Sequence, residues 1–121
     1  MSDPGHPGGV RALWIGGQEV LPQVRLLDSF WARAAGLAGR PPPPDGQAVA
    51  LRPCRAVHTC GMRYPIDILF LDRSDRVLRT VRRLPPWRAA DGGPEACTTV
   101  EWPADRVDSS RWLPGEAARW A

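Results

Sequence analysis

The segment IDILFLDRSDRVLRTVRR, residues 66–83, decides the fold. Residues 66–71 are nearly all apolar, which is typical of a central β-strand buried on both faces. The DRSD segment at 72–75 has an aspartate at each end and indicates a turn. Residues 76–83 then return as an antiparallel partner. The sequence therefore predicts a hairpin at the centre of a sheet.

Further strands are predicted on both sides of this hairpin. They are expected at 10–15, 18–24, 47–52, 55–62 and 97–102. Gly16-Gly17 joins the first two as a tight turn, and Pro22 makes the second an edge strand or a short one. The stretch 84–96, with its prolines and glycines, is expected to be irregular.

The segment LLDSFWARAAGLAGR, residues 26–40, predicts a helix. Phe30, Ala34 and Leu37 recur at helical spacing, and Gly39 can end the helix. Residues 103–112 carry a proline at their first position, which favours a second, short helix.

The predicted fold class is α+β, with a small, mainly antiparallel β-sheet or partly open barrel and one to two helices. The predicted organisation is a flexible N-terminal tail at 1–9 and a single domain over 10–121.

Composition excludes several classes of protein. The net charge of the 121 residues is +3, which is too small to indicate a nucleic-acid-binding protein. No window approaches the ~18 apolar residues of a membrane span, and the N-terminus lacks the pattern of a signal peptide. We therefore expect a cytoplasmic monomer that binds no specific nucleic acid and no membrane. All 16 basic residues are arginine.

Cys54, His58 and Cys60 lie within seven residues of one another. If 54–62 is extended, these three side chains and Met62 share one face. Zinc needs four ligands, and Cys54 and Cys60 would lie ~20 Å apart along such a strand. The sequence therefore predicts no metal and no cofactor. A nucleophilic Cys60 with His58 as its base is a second interpretation, but buried free cysteines usually act as small hydrophobes.

Asp67 interrupts an otherwise apolar strand. A buried carboxylate needs hydrogen bonds or a paired charge, because burying it bare costs several kcal/mol. In one interpretation Asp67 fixes the sheet by accepting bonds from backbone N–H groups, Thr59 or Arg63. In the other it orients His58 or reaches a ligand.

The segments HTCGMRYPIDILFLDRSDRV, LPPWR, VEWPA and LPGE resemble the bacterial and archaeal family called domain of unknown function 192, and GLAGR resembles an upstream element of that family. The resemblance covers about residues 20–116. It implies a small, mainly β fold and no particular activity. Cys60 stands where the family usually has an aromatic residue. Since relatives often continue past LPGE with a final strand, the resemblance also implies a less complete C-terminal edge here.

Six arginines and one acid, Asp75, lie between Arg73 and Arg88. This charge suits phosphates or an acidic partner, or else it guards an exposed edge strand against aggregation. Trp87 follows two prolines, and a rigid ring on such a loop can cap the core or line a pocket.

The hairpin brings the turn at 62–65 and the loop at 84–88 to the same end of the sheet. There, His58, Arg63, Trp87 and Arg88 are expected to converge. With Asp67 they are the candidate ligand-binding residues, suited to a small anion or a carboxylate-bearing protein segment.

The sequence contains no phosphate loop, dinucleotide fingerprint, paired-cysteine knuckle or Gly-x-Ser-x-Gly elbow. The predicted function is therefore that of a small accessory or binding domain that is not an enzyme. It would bind an anion or a peptide at the corner around HTCGMRYPID. The alternative is a small enzyme that uses His58, oriented by Asp67, as a general base.

Overall fold

Nine β-strands build the part of the protein that the computed structural model describes, residues 9–27, 37, 39 and 41–121. The strands are β1 (Val10–Ile15), β2 (Gln18–Leu27), β3 (Gln47–Leu51), β4 (Ala56–His58), β5 (Ile66–Asp72), β6 (Val77–Leu84), β7 (Ala89–Asp91), β8 (Ala96–Pro103) and β9 (Ala118–Trp120). Seven form one sheet in the order β6-β5-β8-β3-β2-β1-β9, and β4 and β7 form a two-stranded sheet.

The predicted α+β class is wrong, because the described residues contain no helix and the architecture is all-β. The helix expected over 26–40 overlaps β2. Leu26 and Leu27 pair with Ala50 and Leu51 of β3, and residues 28–36, 38 and 40 lie outside the described part of the chain. It follows, too, that no helix there is long and apolar enough to cross a membrane.

The short helix predicted over 103–112 is wrong as well. Pro103 is the last residue of β8, and turns follow it. The Asp108 carboxylate accepts hydrogen bonds from the Ser110 backbone N–H at 3.0 Å and the Ser110 hydroxyl at 2.6 Å. Such local side-chain bonds give the backbone an alternative to helical hydrogen bonds.

The sheet is mixed. Every neighbouring pair is antiparallel except β2 and β3, which run parallel from Gln23↔Gln47 to Leu27↔Leu51. A parallel pair needs a long crossover connection, and residues 28–46 provide the length. At the other edge, β9 pairs with β1. The C-terminal edge therefore has the strand that the sequence comparison led us not to expect.

β5 confirms the prediction of a strand buried on both faces, since residues 66–71 are all buried. Leu69 and Leu71 join one apolar cluster with Leu13, Val100 and Trp102. On the opposite face, Ile66, Ile68 and Phe70 join a second cluster with Val49 and Met62. The core thus lies on both sides of β5 and β8.

Asp67 lies opposite a β-bulge in this hairpin. Ile66 pairs with Leu84 and Ile68 with Val81, so Asp67 faces two residues of β6 instead of one. One of them, Arg83, has a left-handed backbone (φ 53°). The carboxylate accepts its N–H at 2.8 Å, and the N–H of Asp105 at 3.4 Å.

The buried carboxylate of Asp67 therefore satisfies backbone groups that the sheet leaves unpaired. Burial raises its pKa, whereas the N–H of Arg83 and the charge of Arg82 oppose the shift. Arg83 and Asp105 also form an ion pair with each other at the surface. These contacts correspond to the structural interpretation, in which Asp67 holds the end of β6 and the turn after β8 on β5.

We expect Asp67→Ala to lower the free energy of unfolding by ~1–3 kcal/mol, because it leaves two backbone N–H groups without their acceptor. Glu95→Ala, which removes an exposed carboxylate, should change the same quantity by less than ~0.5 kcal/mol. Urea titrations of the three proteins measure the effect. An Asp67→Ala midpoint equal to that of the wild type would contradict the structural role.

Candidate functional site

Thr59 binds the end of β4 to the loop at 85–88. Its side chain is fully buried. The hydroxyl donates to the carbonyl of Pro85 at 2.6 Å and accepts the N–H of Arg88 at 2.8 Å. Its backbone N–H donates to the carbonyl of Arg88 at 2.8 Å, and its carbonyl accepts the N–H of Trp87 at 3.1 Å. We call residues 56–63 and 85–91 together the Thr59 corner.

Trp87 projects from the Thr59 corner. Its side chain is 67 % exposed, so it does not cap the core. Its backbone is left-handed (φ 64°), a conformation that non-glycine residues adopt only when surrounding contacts hold them. The backbone N–H groups of Trp87 and Arg88 both donate to Thr59, and these hydrogen bonds supply the contacts.

His58 and Arg63 are exposed at the same corner. His58 ends β4 opposite Ala89, and its Nδ1 accepts the backbone N–H of Cys60 at 3.3 Å. Arg63 follows the turn in which Met62 donates its N–H to the carbonyl of Thr59. The turn and the loop therefore meet, whereas the convergence of the arginine and tryptophan side chains on His58 stays a prediction.

A shallow cleft of about 410 Å³ lies on the two-stranded sheet. It is lined by Ala56, Val57, His58, Ala89, Ala90 and Asp91. Val57 and Ala90 also pack on the second apolar cluster, so the floor of the cleft is part of the core. The small side chains leave room for apolar side chains of a ligand, while the histidine and the aspartate give the cleft a polar rim.

Asp67 is engaged elsewhere. Both of its carboxylate oxygens accept backbone N–H groups, from Arg83 and Asp105. The hydrogen bond of His58 runs to Cys60 instead. The orienting contact between Asp67 and His58 that a general base would use is therefore not among the hydrogen bonds of these two residues.

The expected alignment of Cys54, His58, Cys60 and Met62 on one strand face is wrong. β4 ends at His58, and the turn that follows buries Met62 while Cys60 stays exposed. Within the described part of the chain, no group of three or more histidine, cysteine, aspartate or glutamate residues could hold a metal ion.

Three of the six arginines between Arg73 and Arg88 bind groups that lie outside this segment. Arg76 donates to the carbonyl of Gly115, Arg79 to that of Asp91, each at 2.8 Å, and Arg83 pairs with Asp105. β6 ends the strand order of the large sheet, and among its described residues only the first, Val77, bonds to the backbone of the C-terminal segment, at Gly115 and Glu116. These contacts favour arginines that guard an edge strand over a continuous phosphate-binding surface.

Glu101 is a buried acid that sequence analysis missed. It lies on β8 between Val49 of β3 and Ile68 of β5 and is 4 % exposed. Burial raises the pKa of its carboxyl to about 7, against a weaker opposite effect of the backbone N–H of Leu37. A signal was present but weaker than for Asp67, since Glu101 stands between Val100 and Trp102 but follows two threonines.

Tyr64 lies close to this carboxyl. Burial raises the pKa of its phenol, and the charge of Glu101 raises it further. Its hydroxyl is buried and has no hydrogen-bond partner among the residues that the structure describes. Tyr64 packs against the second apolar cluster, and its phenol interacts electrostatically with the carboxyl of Glu101.

Residues 12–120 match the model of the family DUF192, described as an uncharacterized ACR. A protein of unknown function from Novosphingobium aromaticivorans DSM 12444 superposes with a TM-score of 0.77 at 17% identity, over 92% of this chain and 85% of that chain. A candidate transcription regulator from Sinorhizobium meliloti 1021 gives 0.78 at 16% identity, over 95% and 96%. Similarity at these identities shows the fold alone. Among curated proteins, no sequence matches this chain.

We expect Thr59→Val to lower the free energy of unfolding by ~1–3 kcal/mol, because it removes the hydroxyl that serves Pro85 and Arg88 inside the protein. Thr59→Ser keeps the hydroxyl and should restore most of the loss. Thr80→Val, on β6, is the matched control. Equal unfolding midpoints for the valine and serine variants at position 59 would contradict the role of the hydroxyl.

The raised pKa of Glu101 predicts that the free energy of unfolding depends on pH. Its folded pKa of about 7 lies above the ordinary 4.5, so the folded protein holds the proton more tightly than the unfolded chain. The resulting stabilisation is complete below the unfolded pKa and is lost as pH rises through 7, by up to ~3 kcal/mol. Glu101→Gln should remove this fall in urea titrations from pH 5 to 8. Identical pH profiles for the two proteins would refute the assignment.

Proposed function

The chain belongs to the DUF192 family, and we propose that it is a non-enzymatic binding domain that holds an acidic protein segment at the Thr59 corner. The observation that carries the proposal is Trp87, a large ring that is 67 % exposed on a backbone fixed by Thr59. Tryptophan and arginine are the residues that most often dominate binding energy at protein interfaces.

The corner is arranged before any ligand arrives. Thr59 bonds to Pro85, Trp87 and Arg88, so the loop that carries the ring is held at several points. Two prolines precede the ring and restrict the backbone further. A ligand that packs on Trp87 therefore has little loop ordering to offset, which favours affinity.

The charge of the corner supports an acidic ligand. Arg63 and Arg88 are exposed, and the guanidinium of Arg88 donates within the corner only to the carbonyl of Trp87, at 3.2 Å. Arg55, next to β4, is exposed as well. Guanidinium groups bind carboxylates through paired, charge-assisted hydrogen bonds, so glutamate or aspartate side chains suit this surface.

The cleft supports a protein segment over a small anion alone. Its volume of about 410 Å³ and its alanine-rich wall accommodate apolar side chains, which inorganic anions lack. An extended segment with alternating acidic and apolar residues can place one set toward the arginines and the other on the cleft and the ring.

The catalytic alternative has less support. A general base needs an orienting partner and a pKa suited to its task. The carboxylate of Asp67, the residue expected to orient His58, accepts two backbone N–H groups. A binding role requires no orienting partner for His58, which lies on the rim of the cleft.

We expect a fluorescein-labelled ten-residue peptide of alternating glutamate and valine to bind the protein, measured by fluorescence anisotropy. Trp87→Ala and Arg88→Ala should each weaken binding about tenfold, the usual effect of removing a dominant interface residue. Leu113→Ala removes a side chain that is 61 % exposed and lies outside the corner, so it should leave the affinity unchanged.

The matched peptide with arginine in place of glutamate should bind more weakly, because Arg63, Arg88 and the adjacent Arg55 outnumber the exposed Asp91. Binding of inorganic phosphate in competition with the acidic peptide would instead indicate a general anion site. Duplex DNA should bind weakly and lose its affinity steeply as salt rises. Equal binding of both peptides, or an acidic peptide unaffected by Trp87→Ala, would refute the proposal.

A further inference from the structure

Cys54 and Cys97 lie side by side although they are distant in sequence. The backbone N–H of Cys54 donates to the carbonyl of Cys97 at 2.9 Å. The residues just before Cys54 also lie beside β8, since the Arg52 guanidinium donates to the Thr98 hydroxyl at 2.8 Å. Because the backbone N–H of one residue bonds directly to the carbonyl of the other, their Cα atoms are at most ~6.8 Å apart. This upper limit coincides with that of the ~4.4–6.8 Å range that disulfides span.

Cys54 and Ala96, the residue before Cys97, both pack against the second apolar cluster, which includes Phe70. The hydroxyl of Thr99 donates to the carbonyl of Cys54 at 3.0 Å, so the side chain of Thr99 lies on the face next to this segment. Leu71 pairs with Thr98 and Asp72 with Ala96, so Cys97 is the extra residue of a β-bulge in β8. It borders the same cleft as Pro53, the residue before Cys54.

Both thiols are accessible in part, and Cys97 adjoins an open cleft. The cleft measures about 550 Å³, and its walls include Pro53, Arg73 and Pro94. Cys54 and Cys97 are each half-buried. The Cys54 thiol donates weakly to the carbonyl of Ala56 at 3.3 Å, a contact that a rotation about its side chain releases.

We propose that Cys54 and Cys97 are a modification site that forms a reversible intramolecular disulfide by exchange with a small disulfide such as oxidised glutathione. The Cys97 thiolate attacks the small disulfide from the cleft, forms a mixed disulfide and releases one glutathione thiolate. The Cys54 thiolate then attacks the sulfur of Cys97 and releases the second. The two protein sulfurs are oxidised, the two glutathione sulfurs are reduced, and the protons of the two cysteines pass to the released thiolates.

The disulfide would tie the segment that enters β4 to β8. In the reduced protein one backbone hydrogen bond and the Thr99 hydroxyl hold Cys54 there. A covalent bond would prevent β4 from separating from the large sheet. The inference rests on this pair and its cleft, and it holds whether or not the Thr59 corner binds an acidic segment.

The three cysteines fall on three different tryptic peptides, which makes the pairing readable by mass spectrometry. Cleavage after arginine, except before proline, gives peptides 34–55, 56–63 and 89–106 for Cys54, Cys60 and Cys97. The folded protein is incubated with excess oxidised glutathione, free thiols are blocked, and the digest is analysed. We expect a crosslinked pair of peptides 34–55 and 89–106, which disappears on treatment with dithiothreitol.

Cys60→Ser, which removes the exposed third thiol, should leave the crosslink unchanged. Cys54→Ser should instead accumulate glutathione on peptide 89–106, because the resolving thiol is gone, and circular dichroism checks that this variant is folded. A wild-type protein that carries glutathione on Cys54 or Cys97 but no crosslink overturns the proposal. So does a crosslink that involves mainly peptide 56–63.

Discussion

The fold depends on one carboxylate inside its most buried strand. β5 is covered on both faces and lies between β6 and β8, so any polar group on it must find a partner within the protein. Asp67 finds two, the N–H groups of Arg83 and Asp105. Both donors belong to residues with left-handed backbones, Arg83 in the β-bulge of β6 and Asp105 in the turn after β8. The carboxylate thus replaces the missing strand partner at one bulge and one turn, and the ends of β6 and β8 are held where the sheet requires them.

In the Thr59 corner, too, a buried side chain satisfies backbone groups that have no strand partner. A buried hydroxyl and one backbone unit satisfy the polar groups of a loop that has no strand to pair with. Because Thr59 supplies those bonds, the loop can hold Trp87 in a strained conformation with its ring in water. An exposed ring on a rigid loop adds nothing to the core, and this is the basis for proposing it as a contact surface. This difference separates Trp87 from Trp102, which is buried and packs on Trp112 with ring centroids 5.7 Å apart.

Local pattern was sufficient for the strands that carry the core. The apolar run of β5, the turn after it and the glycine pair between β1 and β2 are written in neighbouring residues, so they could be predicted from the sequence. β7 and β9 were missed because each has three residues, too few for a period, and each exists only through its partner. The parallel pairing of β2 with β3 is likewise a tertiary event. The second predicted helix failed because Asp108 and Ser110 form a local turn that its proline and spacing do not reveal.

Asp67 and Glu101 show where reading the site from sequence reaches its limit. Each is an acid with apolar neighbours on both sides in a strand, and this pattern does not distinguish their roles. Asp67 accepts two backbone N–H groups, because a bulge and a turn happen to end beside it. Glu101 lies between two continuous strands whose N–H groups are already used in pairing, so the N–H of Leu37 is what opposes the effect of burial on its pKa. The first acid consequently fixes the fold, and the second titrates near neutral pH. An isolated acid in an apolar strand therefore indicates that a partner is required, while the donors that decide its role come from residues far away in the chain.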